Sequence, residues 1–252
     1  MPISLRSVLL PLAACAALAL SLPAHAQFTF VLGDGGKRID GSGRATDEAR
    51  VVGAFNGLVV RGPVDVKLTA GASEKVVVHA DDNIVGLIEI EVKDGKLVVG
   101  IKSGVSLRTR SQPYVRVEFR EMNSVAVRGS GDVHADRIKA PVFETTISGS
   151  GDVLVDEIES DAVALSISGS GDFGIGGRAG KLGVVIVGSG DVRAEKLQVR
   201  DAAIRIRGSG DARVYATESL QVDIAGSGDV RYRGEPKVTK KIAGSGEVSP
   251  LR

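Results

Sequence analysis

From Val125 to the C-terminus apolar and polar residues alternate. The alternation is interrupted at near-constant intervals by one word, Gly-Ser-Gly-Asp. Its first glycines are Gly129, Gly149, Gly169, Gly188, Gly208 and Gly226, and a seventh copy, Gly244 to Glu247, ends in glutamate instead. The spacings are 20, 20, 19, 20, 18 and 18 residues. Two residues before each copy stand Val127, Ile147, Ile167, Ile186, Ile206, Ile224 and Ile242; two further back stand Val125, Thr145, Leu165, Val184, Ile204, Val222 and Lys240. Four residues after each first glycine come Val133, Val153, Phe173, Val192, Ala212, Val230 and Val248, then, two later, Ala135, Val155, Ile175, Ala194, Val214, Tyr232 and Pro250. Period-two alternation is the signature of a strand with one face buried. Each unit is therefore strand, glycine corner, strand. One such unit cannot close a core, but stacked units bury their inward columns against each other. The pattern predicts an all-β fold, a parallel β-solenoid with coils of about 18–20 residues over 122–252. Lys240 and Pro250 break the apolar columns as a C-terminal cap would.

Upstream, from Val51 to Glu121, the period is again two but the spacing is irregular. Val92 and Leu97 flank Lys93-Asp94-Gly95-Lys96, a two-residue hairpin turn. Lys102 to Pro113 reads as a polar loop. Phe55-Asn56-Gly57-Leu58-Val59-Val60-Arg61-Gly62-Pro63-Val64-Asp65-Val66 aligns with Met122 to Val133 over twelve positions. Residues 51–121 thus read as irregular N-terminal coils of the same architecture. No stretch carries a capped apolar period of 3.6, so almost no helix is expected. Residues 27–50 are Gly-rich and polar and read as a flexible leader, with a short edge strand at Phe28 and Phe30 as the alternative.

The first 26 residues have Arg6, an apolar run from Val8 to Leu22, and Pro23-Ala24-His25-Ala26. That is the pattern of a secretory signal peptide cleaved after Ala26. Leu12-Ala13-Ala14-Cys15 resembles a lipoprotein lipobox and is the competing reading, although the apolar run continues past Cys15. In both readings the chain leaves the cytoplasm, for the periplasm or the outside, and keeps no stable membrane span. Cys15 is the single cysteine, so cleavage leaves a chain that relies on burial and backbone pairing without disulfides. Removing Arg6 from 32 basic residues leaves 31 against 31 acidic ones. A net charge of zero gives no global field toward nucleic acid or an anionic membrane. With 4% aromatics, no Trp and 33 Gly, the composition suits strands and tight turns.

Candidate chemistry is sparse. Corner geometry alone explains Gly, Ser and Asp: glycine supplies positive φ, and the short polar side chains can bond nearby amides. Calcium is the sharper alternative, but each turn offers one carboxylate where a hard cation wants six to eight oxygens. Ser130, Asp132 and His134 cluster in sequence, yet Ser and Asp recur in every coil, and neighbours on one strand lack triad geometry. With His79 and His134 alone beyond the signal and no remaining Cys, a histidine zinc site is not expected. Glu89 and Glu91 share a strand face. Arg108, Arg110, Arg116, Arg120 and Arg128 form a loosely basic stretch, read as edge charges. No catalytic, cofactor-binding or metal-binding residue is assigned. The strong break in the repeat is Gly174 to Gly180, a segment itself poor in acids.

Val52-x-x-Phe55-Asn56-Gly57-Leu58, Ala80-Asp81-Asp82-Asn83, Val92 to Leu97 and the Gly-Ser-Gly-Asp-Val ladder together resemble the bacterial family called putative auto-transporter adhesin, head GIN domain. The resemblance covers roughly 51 to 248. It implies an exported single-stranded β-helix, right-handed, with no established activity. The chain ends Ser249-Pro250-Leu251-Arg252 without the strands of a translocator barrel, which favours the periplasm over the surface. The expectation is a non-enzymatic envelope protein that binds a glycan or another envelope protein and has no nucleic-acid partner. The alternatives are a carbohydrate-active enzyme on a β-helix scaffold and a calcium-stabilised spacer. An enzyme would gather unrepeated Asp, Arg or Lys where the repeat breaks.

Overall fold

The computed structural model describes residues 30–32 and 36–251. The expected signal peptide and its cleavage site lie outside them. The seven corner glycines from Gly129 to Gly244 stand in register from coil to coil, and every pairing between successive coils is parallel. The fold is the β-solenoid that the alternation predicts. Val153–Gly169, Phe173–Gly188, Val192–Gly208 and Ala212–Gly226 each run nearly a whole coil between corners. A second bend falls where two successive residues point outward, as at Asp156 and Glu157, and the register shifts there.

One continuous core fills the stack. Val127, Ile147, Ile167, Ile186, Ile206 and Ile224 are all fully or almost fully buried, and each contributes about 1.5–3 kcal/mol relative to exposure. Phe143 and Phe173 are the largest fully buried side chains. Thr145 occupies an apolar column with its Oγ1 unpartnered among the described residues, a local cost.

The twelve-position match upstream is the true coil register. Ser124 to Arg128 pair with Gly57 to Arg61, and Val133 pairs with Val66. Beyond that coil the stack switches to mixed pairing. Lys96–Ile101 lies parallel to Gly57–Arg61 and folds back antiparallel on Ile88–Lys93. Asp94 (φ 51°) and Gly95 (φ 71°) make the tight turn between them, as the sequence predicts. On the other side Tyr114–Phe119 pairs parallel with Asp65–Ala70 and antiparallel with Lys75–Asp81. A single 3-10 turn, Val85–Leu87, is the helical element among the described residues.

Two expectations are corrected here. The leader is not loose from Lys37 onward: Lys37–Asp40 pairs with Val105–Thr109, and Ala45–Arg50 pairs antiparallel with Lys75–Asp81. Val105–Thr109 itself lies in the stretch read as a polar loop. Composition hid these strands because polar contacts hold them. The Ser42 Oγ donates to Asp82 at 2.5 Å, the Asn83 side chain donates to the Asp40 carbonyl at 2.8 Å, and the Gly43 N–H donates to buried Asp81 at 3.1 Å.

The two ends differ. Ile88–Lys93 closes one sheet at the N-terminal end with exposed Glu89 and Glu91 on its outer face. At the C-terminal end Lys237–Gly244 and Val248–Pro250 are the last strands, and Lys240 stands exposed where the core column would continue. Charged and proline-bearing edges resist pairing with another chain.

Candidate functional site

The repeated word builds the corner. Its first glycine has φ between 128° and 143° in every copy, the left-handed region that glycine enters freely. A Cβ on it would also strike the carbonyl oxygen of the preceding coil, so conformation and stacking both require it, whereas the second glycine has no positive φ and is required by stacking alone. A Cβ there would be driven into the carbonyl oxygen of the residue stacked beneath it in the preceding coil, so the coils could not stack. The serine side chains face solvent.

The carboxylates form a ladder. Each Asp N–H donates to Oδ1 of the preceding coil's aspartate: Asp132 to Asp65 (3.0 Å), Asp152 to Asp132 (2.9 Å), Asp172 to Asp152 (2.8 Å), Asp191 to Asp172 (2.9 Å), Asp211 to Asp191 (2.9 Å) and Asp229 to Asp211 (2.8 Å). The Glu247 N–H closes it on Asp229 at 2.9 Å. Glutamate is tolerated there because no later coil in the described structure needs its side chain as acceptor. The first rung, Asp65, is half-buried, and that desolvation raises its pKa above the ordinary aspartate value.

His134 does not join Ser130 and Asp132. Its Nε2 lies 2.8 Å from Oδ2 of Asp156, on the next coil, and both side chains are about half exposed (51% and 53%). His79 lies 2.6 Å from Asp47 and stacks on Tyr114 at 4.7 Å between centroids. His79 first, and Arg116 second, hold the Asp47 carboxyl below the usual range. Within the basic stretch Arg116 pairs with Asp47 at 2.5 Å, Arg120 with Glu74 at 2.8 Å and Arg108 with Asp40 at 4.0 Å.

Unrepeated chemistry collects where the repeat breaks. The outward column just past the corner reads Lys67, His134, Leu154, Gly174, Arg193 and Arg213 in register. At Gly174 it dips, and exposed Leu154 leans over the dip: a Cβ on Gly174 would come within 2.8 Å of Leu154 Cδ1. Gly177, at φ 112°, turns the chain at the second bend. Opposite Ile175 the next coil inserts both Ala194 and Glu195, a bulge that displaces Glu195 from the ladder. Glu195 Oε2 is shut from solvent and has no hydrogen-bond partner among the described residues. The result is a groove of about 560 Å³, walled by the aspartate ladder and lined by His134, Leu154, Asp156, Arg193, Glu195 and Lys196. Arg193 is tied to Asp172 at 2.7 Å. The segment Gly174 to Gly180 is itself poor in acids, but the coils on either side supply them. Reading the outward columns at the coil spacing, as well as the inward ones, would have found this convergence.

A model of the family described as "Putative auto-transporter adhesin, head GIN domain" matches residues 54–236. The chain belongs to that family. The match spans the mixed N-terminal coils and all the complete Gly-Ser-Gly-Asp corners of this head GIN domain. Its fold is similar to that of a putative adhesin from Bacteroides fragilis NCTC 9343, with TM-score 0.80, 23% identity, and coverage of 84% of this chain and 100% of that one. A putative lipid binding protein from Parabacteroides distasonis ATCC 8503 gives TM-score 0.73 and 25% identity over 86% and 100%. A putative adhesin from the same strain gives 0.70 and 26% over 85% and 100%. No curated protein matches the chain. Among the described residues no helix is long and apolar enough to cross a membrane.

Proposed function

We propose that this head GIN domain is a non-enzymatic binding protein of the bacterial envelope, exported by its N-terminal signal, and that its groove at the repeat break holds a neutral, hydroxyl-rich glycan. Unrepeated side chains gather at the interruption of the repeat, as an enzyme on this scaffold would also show; the observation that carries the binding reading is that these side chains are open to solvent and already paired with one another. Leu154 gives an apolar wall, Asp156 and the outer oxygen of Glu195 accept from hydroxyls, and His134 and Lys196 donate. Open, mutually paired side chains such as His134–Asp156 and Arg193–Asp172 suit binding more than catalysis, which keeps its acids and bases in dry, tuned surroundings. The family description and the putative adhesins of like fold support the same direction.

The test is retention of envelope polysaccharide on the immobilised protein, with and without chelator. Retention independent of chelator, lost in Leu154→Arg, is expected. No specific glycan retained, or retention that needs a divalent cation, overturns the reading.

A further inference from the structure

The long side of each coil presents an outward sheet face on which none of the described residues packs. Six rows run from Val142 through Lys237 in parallel register. The face is hollowed into a trough of about 770 Å³ whose floor is Ala164, Gly183 and Ala203. Val142 and Val187 stand 48% and 49% exposed on it. Gly183 is the informative residue. Its backbone is outside the left-handed region, and a Cβ there would meet only the Val163 carbonyl oxygen, at 4.0 Å. Neither conformation nor stacking requires glycine at this point, and a glycine within a strand costs about 0.5–1 kcal/mol relative to alanine. Such a glycine marks a place where another backbone approaches closely.

We infer that a second copy of this chain occupies the face, packed sheet on sheet about a two-fold axis that runs along the strands between the Gly183 and Ala203 rows. The charges select this occupant. Inverting the row order places Glu144 of one copy among Lys237 and Lys241 of the other, and Lys181 opposite Asp201. Asp223 is already held by Arg207 at 2.8 Å within its own chain. Arg205 of one copy lies over Val185 of the other and next to its symmetry mate across the axis, each turned to Asp223 of its own chain at 3.7 Å, and Gly183 of each copy lies over Ala203 of the other at the centre. The face measures about 29 Å by about 23 Å, so the pair would bury about 1,300 Å² in all, enough for a specific interface. An isologous contact of this kind closes on itself at two copies. It leaves the groove at the repeat break, across the glycine corner, open on both copies, so loss of the dimer and loss of the proposed ligand are separate results.

Sedimentation velocity of the purified protein across micromolar concentrations tests it. A dimer is expected. Gly183→Lys, placed where the monomer has room for it, should give a monomer with an unchanged melting temperature. Glu144→Lys on the rim should weaken association about 10-fold or more, and Glu144→Lys combined with Lys241→Glu should restore it to within about 3-fold. A wild type that stays monomeric overturns the proposal. So does a dimer indifferent to Gly183→Lys and to the charge reversal, and so does a monomer whose trough instead takes up lipid from vesicles or a soluble glycan.

Discussion

Asp152 shows what the recurring carboxylate does. Its Oδ1 accepts the Asp172 N–H at 2.8 Å, while its own N–H is bonded to Asp132 at 2.9 Å. Each rung is a hydrogen-bond acceptor first and a charge second, and stacked like charges are a cost. Three substitutions separate these terms. Asp152→Asn keeps the acceptor and removes the repulsion, so its melting temperature should equal or exceed that of the wild type. Asp152→Ala leaves the Asp172 amide to water and should lose about 0.5–1.5 kcal/mol. Asp152→Glu should lose a similar amount, because the longer side chain overshoots the amide. Chemical denaturation reads all three. An asparagine variant as unstable as the alanine one would mean that the charge, not the acceptor, matters, and would reopen the cation reading.

At the scale of the corner, both glycines of a turn are held by close stacking, the first by its positive φ as well, and the serine has little structural duty. Gly190 is held by the approach of the coil before it, since a Cβ would strike the Gly171 carbonyl. Gly190→Ala should therefore destabilise by about 3 kcal/mol or more, whereas Ser189→Ala, at an exposed side chain, should stay within about 0.5 kcal/mol. Equal effects would show that the tight stacking of the corners is not what selects glycine. The corner spacing and the inward columns were legible in the sequence because both are strictly periodic. The hairpin at Asp94-Gly95 was legible because its turn needs two residues at positive φ. Ala45–Arg50 and Val105–Thr109 were not, since tertiary pairing there overrides a polar composition. The groove was hidden for another reason: Gly174 and Glu195 acquire meaning only once neighbouring coils are aligned.

Over the whole molecule, carboxylates held below their ordinary pKa are distributed unevenly between the two kinds of coil. Asp47, Glu74, Asp82 and Glu118, all in the mixed N-terminal part, are held below their ordinary pKa by His79 and Arg116, by Arg120, by Ser42 and Arg44, and by Lys75 and Ser73 respectively. In the regular stack Asp223 is lowered in the same way by Arg207. A carboxylate with a depressed folded pKa adds stability that is present above its unfolded value of about 4 and lost as pH falls through the folded one. Asp65 has the opposite sign, because its raised pKa favours the folded state as it protonates. Acidification below about pH 4 should therefore open residues 45–121 before the regular coils. Hydrogen exchange at pH 3 and pH 6 reads this directly, and earlier opening of the regular rows between Val142 and Gly244 would contradict it.

The repeated word shapes the molecule, and the proposed function assigns ligand recognition to the side chains that depart from the repeat. The most direct measurement sets two variants side by side for retention of envelope polysaccharide. In one, the exposed corner serines Ser130, Ser150, Ser170, Ser189, Ser209, Ser227 and Ser245 are all replaced by alanine. In the other, Gly174→Glu fills the groove, where only the movable end of Leu154 stands in the way. Full retention by the serine variant and loss by Gly174→Glu, with both still folded, is the predicted result. Loss by the serine variant with retention by Gly174→Glu would place recognition on the repeat itself and contradict the account.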